Sequence, residues 1–190
     1  MIIGNLTIIR PLEVGDEELL YRWWNDGGLM EHAGLAFGTL QSKEAIKNIV
    51  NREIIKEELS PENKRFIICK KDSLTPIGEI NYCGLDLKNQ KCEFGIKICE
   101  INEQGKGYGK DALFHFIDFI FKNFNINKIE LTTMIDNRKA QGLYKKLGFK
   151  PIGIIREAFF DSKSEAFEDA LYMDILKREW KDKYKKINTN

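Results

Sequence analysis

The chain has 190 residues, 43% of them hydrophobic and 31% charged, which is typical of one sizeable soluble domain spanning residues 1–190. A formal net charge of +1 argues against a protein that coats nucleic acid, because such binding needs an extended basic field. No apolar run reaches the roughly 18 residues of a membrane span, and residues 1–5 show no basic leader before an apolar segment. We therefore expect no membrane partner, no signal peptide and a cytoplasmic location.

The cysteines and histidines offer little material for a disulfide framework or a metal centre. The two histidines, His32 and His115, are too few for a zinc site built from imidazoles. The four cysteines are widely spaced without a Cys-x-x-Cys pair, and all fall within strand-like runs. We predict free buried thiols and no metal at Cys69, Cys83, Cys92 and Cys99.

The first predicted elements are a strand and a helix. Leu6 to Arg10 is β-branched and apolar, and it ends before Pro11. Asp16 is suited to cap a helix, and Gly27-Gly28 is suited to stop it. Between these signals, apolar residues recur at helical spacing: Leu19, Leu20, Trp23 and Trp24.

A second helix and three strands follow. Ser42 is suited to cap a helix whose apolar positions repeat to about Glu58, and Pro61 marks a break after it. Three strand-like runs come next, separated by turn-like segments: Arg65 to Lys70, Pro76 to Leu85 and Cys92 to Cys99. The last run alternates, with one face formed by Phe94, Ile96 and Ile98 and the other by Glu93, Gly95 and Lys97.

The second half of the chain alternates helices with strands and closes with two strands and a charged tail. We expect the tail to form a short solvated helix. In chain order, the predicted elements are the helix Gly107 to Phe124, the strand Lys128 to Met134, the helix Asn137 to Leu147 with Gly148 as its cap, the strands Ile152 to Phe160 and Phe167 to Leu176, and the tail Lys177 to Lys186.

This order predicts an α/β (α+β) fold. Three successive strands favour an antiparallel meander, and the strand, helix and strand at 92–134 favour one right-handed parallel crossover. We therefore expect a mixed, mostly antiparallel sheet of about seven strands flanked by helices.

Three glycines at alternate positions precede the longest predicted helix, in the segment Gln104 to Lys110. Glycine allows positive φ and close approach to a ligand, and the first turn of a helix carries unpaired N–H groups. The segment therefore predicts a phosphate or diphosphate site, to which Lys106 and Lys110 add positive charge. Alternatively, the glycines only allow tight packing of helix on strand. Their spacing fits neither a dinucleotide-binding Gly-x-Gly-x-x-Gly loop nor a Walker A loop.

Two segments of the chain resemble the GNAT superfamily of acyl-CoA-dependent N-acyltransferases. Gln104 to Gly109 matches its Gln/Arg-x-x-Gly-x-Gly/Ala signature, and Asp136 to Phe149 matches its Asn-x-x-Ala…Tyr-x-x-Leu-Gly-Phe pattern. Leu6 to Pro11 with Asp16 is similar to the opening of the subgroup of ribosomal-protein N-terminal and spermidine acetyltransferases. The resemblance implies a GNAT-like fold and acetyl transfer from acetyl-CoA.

The resemblance also implies where the cofactor binds. The glycine segment would hold the diphosphate of acetyl-CoA, and the strand that ends near Ile98 would pair with the pantetheine arm, where sheets of this family splay open. Asn137 would contact the cofactor, although it also suits a plain helix N-cap. The predicted cofactor-binding residues are Ile98, Gln104, Gly105, Lys106, Gly107, Tyr108, Gly109, Lys110 and Asn137.

Transfer to an amine requires a proton acceptor and a proton donor. An amine with a pKa near ~10.4 is almost fully charged at neutral pH, and the ammonium has no lone pair. Glu93 is the first candidate for the base and Glu79 the second. Tyr144 occupies the position of the family's general acid and would protonate the leaving thiolate. Alternatively, Tyr144 only packs and Glu93 is only an exposed strand carboxylate.

The identity of the acceptor amine stays open, and the candidates are a peptide N-terminus, a polyamine and another small amine. A polycation needs clustered carboxylates, and the resemblance to spermidine acetyltransferases implies that part of such a cluster lies between the first two helices. Here that segment, Met30 to Thr39, contains only Glu31 as an acid, which favours the peptide or a small hydrophobic amine. Trp23 and Trp24 either line this site or belong to the core. Two other functions remain, a non-catalytic acyl-CoA-binding sensor and a nucleotide-binding regulator. Related enzymes often form dimers, so a homodimer is one open state.

Overall fold

A computed structural model describes residues 1–55 and 62–188, with the backbone alone for 184–188. Its described strands form one eight-stranded sheet in the order β1-β2-β3-β4-β5-β6-β8-β7. The strands are β1 Ile2–Ile3, β2 Thr7–Pro11, β3 Lys64–Lys70, β4 Pro76–Asp86, β5 Lys91–Ile98, β6 Lys128–Met134, β7 Lys150–Asp161 and β8 Ala166–Leu176. Neighbours are antiparallel except β5 and β6, which are parallel. The mixed, mostly antiparallel sheet is confirmed, and β1 is the strand added to the seven expected.

Helices flank this sheet. They are α1 Glu17–Trp24, α2 Gly27–Met30, α3 Lys43–Ile54, α4 Tyr108–Asn123, α5 Arg138–Leu147 and α6 Lys177–Asn188. Ser42 caps α3 as predicted, since its hydroxyl accepts from the Ala45 N–H at 3.1 Å. The expected end of this helix near Glu58, and the break at Pro61, lie outside the described residues. No helix of the described part is long and apolar enough to cross a membrane.

The sheet carries a separate hydrophobic core on each face. One face, here called the α1–α3 face, packs Ile67 and Cys69 against buried residues of α1 and α3, including Leu20 and Ile46. The other, the α4 face, packs its strands against α4; the buried residues there include Phe66, Ile80, Phe94, Phe116 and Ile120. Alternation along β5 therefore sends Glu93, Gly95 and Lys97 to the α1–α3 face and Phe94 to the α4 face. Three of the four free cysteines are buried, and burial raises the pKa of Cys92 to about 12.

The first helix begins after Asp16 as predicted, but two of its predicted end signals act differently. Asp16 stands at the N-cap of α1, but its side chain makes no capping bond. Its carboxylate instead pairs with the Arg10 guanidinium at 2.7 and 2.8 Å and accepts from the Glu13 N–H, which fastens the loop after β2. Gly27-Gly28 begins α2 rather than stopping α1, because the Asp26 carboxylate caps it through the Leu29 N–H.

The prediction of a solvated C-terminal helix is also wrong in part. Trp180 on α6 is only 2% exposed, and its ring lies 5.0 Å from that of Phe114 on α4. Its indole N–H donates to Asp118 at 3.4 Å. The tail therefore carries one apolar anchor that seats α6 on the α4 face.

Asp111 in the first turn of α4 fastens the beginning of the chain to the helix. Its carboxylate accepts from the main-chain N–H groups of residues 5, 6 and 7 at 3.0 Å each and from the Thr7 hydroxyl at 2.7 Å. A Cβ on Gly4 would collide with this carboxylate, so the close approach requires glycine. Four donors converge on one anion and fix α4 relative to β2.

We expect Asp111→Asn to lower the free energy of unfolding by about 3 kcal/mol, because an amide group would face donors that now meet a carboxylate. Chemical denaturation measures the difference. Glu18→Gln is the matched control, since Glu18 forms an exposed ion pair with Lys43 and its loss should cost less than about 0.5 kcal/mol. Equal losses in the two variants would contradict the anchoring role of Asp111.

Candidate active site

The parallel ladder between β5 and β6 is short. It joins Lys91 to Lys128, Cys92 to Ile129 and Glu93 to Glu130, and there it ends. On its other edge, β5 stays paired with β4 as far as Ile98. From Phe94 to Ile98, the edge of β5 toward β6 therefore has no strand partner among the described residues. Unpaired backbone donors and acceptors along this edge can bond an extended ligand that carries amides.

The glycine segment lies where β5 ends. Gly105 and Gly107 have φ of +79° and +93°, values that favour glycine, and Gly107 stands at the N-cap of α4. No side chain caps this helix, so its first N–H groups remain available. A Cβ on Gly109 would lie 3.5 Å from Ile98, an ordinary contact. The first two glycines are therefore required by the backbone, whereas the third is not required by space.

Beyond Glu93, β5 and β6 are no longer paired, and Gln104 bridges the two sides of this opening. Its side-chain amide N–H donates to the Ile98 carbonyl at 2.9 Å, and its Oε1 lies 3.4 Å from Lys139 Nζ at the start of α5. Lys106 pairs with Glu103 at 3.1 Å, and Lys110 is exposed. Gln104 thus holds the glycine segment against the end of β5, a positioning contact that the sequence pattern does not show.

Asn137 and Gln141 shape the start of α5. The Asn137 side chain accepts from the Ala140 N–H at 3.1 Å, which matches the helix-cap alternative, and contact with a cofactor stays a prediction. Gln141, 8% exposed, donates to the carbonyls of Met134 and Ile135 at 3.3 and 2.8 Å. The sequence analysis missed Gln141; the one available signal was a polar residue at a helix position that faces the core.

Tyr144 on α5 packs against the point where the ladder ends. Its ring meets that of Phe94 edge-on at 5.7 Å and that of Phe149 at 6.0 Å. Burial raises the pKa of Tyr144 to about 12. Its hydroxyl bonds to no group of the described chain, and it stays protonated at neutral pH as a proton donor must.

Glu93 lies next to Phe94 along β5 but on the opposite face of the sheet. It is the last residue of the parallel ladder and is exposed, and its side chain forms neither an ion pair nor a hydrogen bond with the described residues. Its ladder partner Glu130 is buried and pairs with Lys91 and Lys128. Glu93 and Tyr144 therefore approach the end of the ladder from the α1–α3 face and the α4 face, respectively.

Glu79 is held by four close contacts and is a poor candidate for the base. Both of its oxygens accept from the Trp24 indole N–H at 3.1 Å, while Arg65 and Lys97 bind it at 2.6 and 3.1 Å. Burial opposes its ionisation, but the charges of Arg65 and Lys97, with these hydrogen bonds, outweigh burial and lower the pKa of Glu79. Trp24 thus belongs both to the core and to this cluster.

The β7–β8 hairpin reaches across to the segment after α2. Lys163 at its turn pairs with Glu31 at 2.8 Å, and a Cβ on Gly34 would lie 3.3 Å from the Phe160 carbonyl. Exposed apolar side chains lie on both sides of this contact: Leu35 and Phe37 on the segment, Phe160 and Phe167 on the hairpin. We call these four residues the apolar rim.

Comparisons with known proteins agree with this geometry. A family model described as an acetyltransferase (GNAT) domain matches residues 7–150. An uncharacterised N-acetyltransferase, p20, of Bacillus licheniformis is 26% identical over 90% of this chain and 93% of its own. A spermidine N(1)-acetyltransferase of Vibrio cholerae is 27% identical over 90% and 94%, respectively. The crystal structure of a Vibrio cholerae spermidine N-acetyltransferase with CoA and spermine superposes with a TM-score of 0.81 at 24% identity, covering 92% of this chain and 98% of that one. This last likeness establishes the fold.

We expect Gly107→Ala to lower the free energy of unfolding by about 1–2 kcal/mol, because alanine disfavours the left-handed backbone. The same change should remove most of the thermal stabilisation that added CoA gives. Gly142→Ala, inside α5 with no atom near its Cβ, is the control and should stabilise by about 0.5–1 kcal/mol. An undiminished response to CoA in Gly107→Ala would contradict a ligand-binding role for this loop.

Proposed function

Because this chain belongs to the GNAT acetyltransferases and is therefore an enzyme, we propose that it moves the acetyl group of acetyl-CoA to a primary amine by direct attack in a ternary complex. One observation carries the proposal: the ladder between β5 and β6 ends at Glu93, beside the ring of Phe94 that packs on Tyr144. A proton acceptor and a proton donor thus flank the place where an extended ligand can pair with β5. We treat residues 1–190 as one catalytic unit.

The residues at the end of β5 fit the cofactor. The positive-φ glycines and the uncapped start of α4 offer main-chain N–H groups to a diphosphate, and the free edge of β5 toward Ile98 offers partners to the pantetheine amides. Lys106, Lys110 and Asn137 are proposed to complete this site. Acetyl-CoA supplies an activated thioester, so the protein mainly has to align the reactants and manage two protons.

Glu93 is proposed to accept the proton of the amine, directly or through water. Deprotonating an amine with a pKa of ~10.4 at pH 7 costs roughly 4–5 kcal/mol. An exposed carboxylate without an ion partner in the described chain can take this proton, whereas Glu79 is held by two cations. Glu93 also attracts the ammonium form of the acceptor before the reaction.

Tyr144 is proposed to protonate the departing thiolate. A phenol with a pKa of about 12 is fully protonated at neutral pH. It lies on the face of the sheet opposite to Glu93, so the two groups cannot neutralise each other by direct contact. The acceptor would then enter from the α1–α3 face while the cofactor occupies the α4 side.

The acceptor is proposed to be a peptide N-terminal amine or a small hydrophobic amine. The apolar rim supports this choice, because four exposed apolar side chains offer contact to an apolar neighbour of the amine. A polyamine is the second candidate, since the named relatives include spermidine acetyltransferases.

We expect Tyr144→Phe to lower kcat by about a hundredfold, because the thiolate then leaves without a positioned acid. The KM for acetyl-CoA should stay near that of the wild type. Thiol release is measured with acetyl-CoA and a panel of an alanine-starting peptide, spermidine and an aminoglycoside. Because the pKa of Tyr144 is about 12, kcat of the wild type should show no fall from loss of this proton between about pH 7 and 10.

The same assay, together with thermal-shift measurements, separates the alternatives. A wild type that releases no thiol with any amine but is stabilised by CoA would favour the acyl-CoA sensor. Stabilisation by ATP or NAD in place of CoA would favour the nucleotide-binding regulator. Unchanged kcat in Tyr144→Phe would remove this residue from the chemistry.

We expect Glu93→Gln to lower kcat/KM for the amine about tenfold or more at neutral pH, because the amine then loses its proton acceptor. The deficit should narrow toward about pH 9.5, where more of the amine is already neutral. Initial rates over this pH range measure the effect, with Glu18→Gln, the same carboxylate-to-amide change at an exposed ion pair on α1, as the control. A deficit that is constant with pH would mean that Glu93 binds the acceptor or supports the strand without acting as the base.

A further inference from the structure

Lys97 places a positive charge on the face of the sheet from which the acceptor is proposed to enter. It lies two residues beyond Gly95 and four beyond Glu93 on the same face of β5. At a rise of about 3.3 Å per residue, the Cα atoms of Lys97 and Glu93 lie roughly 13 Å apart. Gly95 between them has no side chain, and a Cβ there would lie 2.8 Å from Asn81 Oδ1.

The carboxylates near Lys97 are already neutralised. Glu79 is bound by both Lys97 and Arg65, and Arg65 lies 3.8 Å from Glu53. The charges of these two carboxylates and these two cations therefore cancel. Glu31, across the opening, is paired with Lys163. Among these acidic groups, Glu93 alone forms no ion pair with the described chain.

Of the four carboxylates named here, Glu93 is therefore the one that remains open to an ammonium group. We propose that Lys97 is a specificity-determining residue that excludes polycations and restricts the acceptor to amines with a single positive charge, such as a peptide N-terminus. An acceptor whose first amine meets Glu93 carries its second amine toward Lys97, where the nearby carboxylates are already paired and the second ammonium group meets a cation instead of a counter-ion. The inference rests on the proposed acetyl transfer and decides between its two acceptor classes.

Lys97 is also accessible enough to act on a substrate. Its side chain is 23% exposed, whereas that of Glu79 is 8% exposed. The ammonium lies 2.7 Å from Met30 Sδ as well, so it stands between the sheet and the end of α2. The charge is fixed in place by its pair with Glu79 and is not free to swing away from an incoming ammonium.

The test compares acceptors that differ by one charge. Butylamine and 1,4-diaminobutane have the same carbon chain, and spermidine and an alanine-starting peptide amide extend the series. We expect wild-type kcat/KM to favour butylamine over 1,4-diaminobutane by about tenfold. Lys97→Met should bring the ratio near one and raise kcat/KM for spermidine about tenfold, while Lys97→Arg should keep the wild-type preference.

Lys43→Met is the matched control, because it removes the same charge from a lysine that is likewise paired with a carboxylate, Glu18, but lies on α3; it should leave the preference unchanged. The acceptor preference of the wild type should also weaken in high salt, which a purely structural role of Lys97 would not cause.

Two outcomes would overturn the inference. A wild type that acetylates 1,4-diaminobutane or spermidine as well as butylamine defeats it while leaving the proposed acetyl transfer intact. Release of no thiol with any amine defeats the proposed function and this inference together. Should Lys97→Met fail to fold, the comparison of the four acceptors on the wild type still decides the matter.

Discussion

The architecture depends on one interruption of strand pairing: β5 keeps β4 beside it to Ile98 but loses β6 after Glu93. Main-chain N–H and C=O groups of a sheet need partners, and a row of them without a neighbouring strand has to be met by water or by a ligand. This edge of the sheet can thereby bind a ligand without any special side chain. The positive-φ glycines and the open start of α4 lie at the end of this row, so one extended ligand can use both.

The alternation of side chains along a strand explains why the two proposed catalytic groups lie on opposite faces of the sheet at this opening. Adjacent residues of β5 reach opposite faces, which sends Glu93 toward α1 to α3 and Phe94 toward Tyr144. The proposed proton acceptor and proton donor can thus flank one reaction without forming a hydrogen bond to each other. Helix α5, which carries Tyr144, is held by Gln141, which donates to the carbonyls at the end of β6.

Local patterns predicted most elements, and the failures share one physical cause. The Ser42 cap and the strand Lys128–Met134 follow from neighbours in the sequence and were predicted correctly. The ion-paired cluster around Glu79 was not, because its members come from four elements and Trp24 is 55 residues from Glu79. Buried Trp180 was likewise missed, since a single aromatic residue among charges carries no periodic signal. Of the candidate site, the sequence motifs named residues whose roles stay predictions, and they did not show that the Gln104 side chain bonds to the Ile98 carbonyl.

The convergence of amides on Asp111 has a consequence for amide hydrogen exchange near the start of the chain. The same helical turn that exposes N–H groups beside the glycines also holds, through its carboxylate, the amides of residues 5, 6 and 7. Anything that stiffens this turn slows hydrogen–deuterium exchange at those amides, because they open only when the turn loosens. Exchange at the amides of residues 5, 6 and 7 should therefore report whether a ligand is bound at the start of α4. This readout needs no label and lies away from the proposed reacting groups.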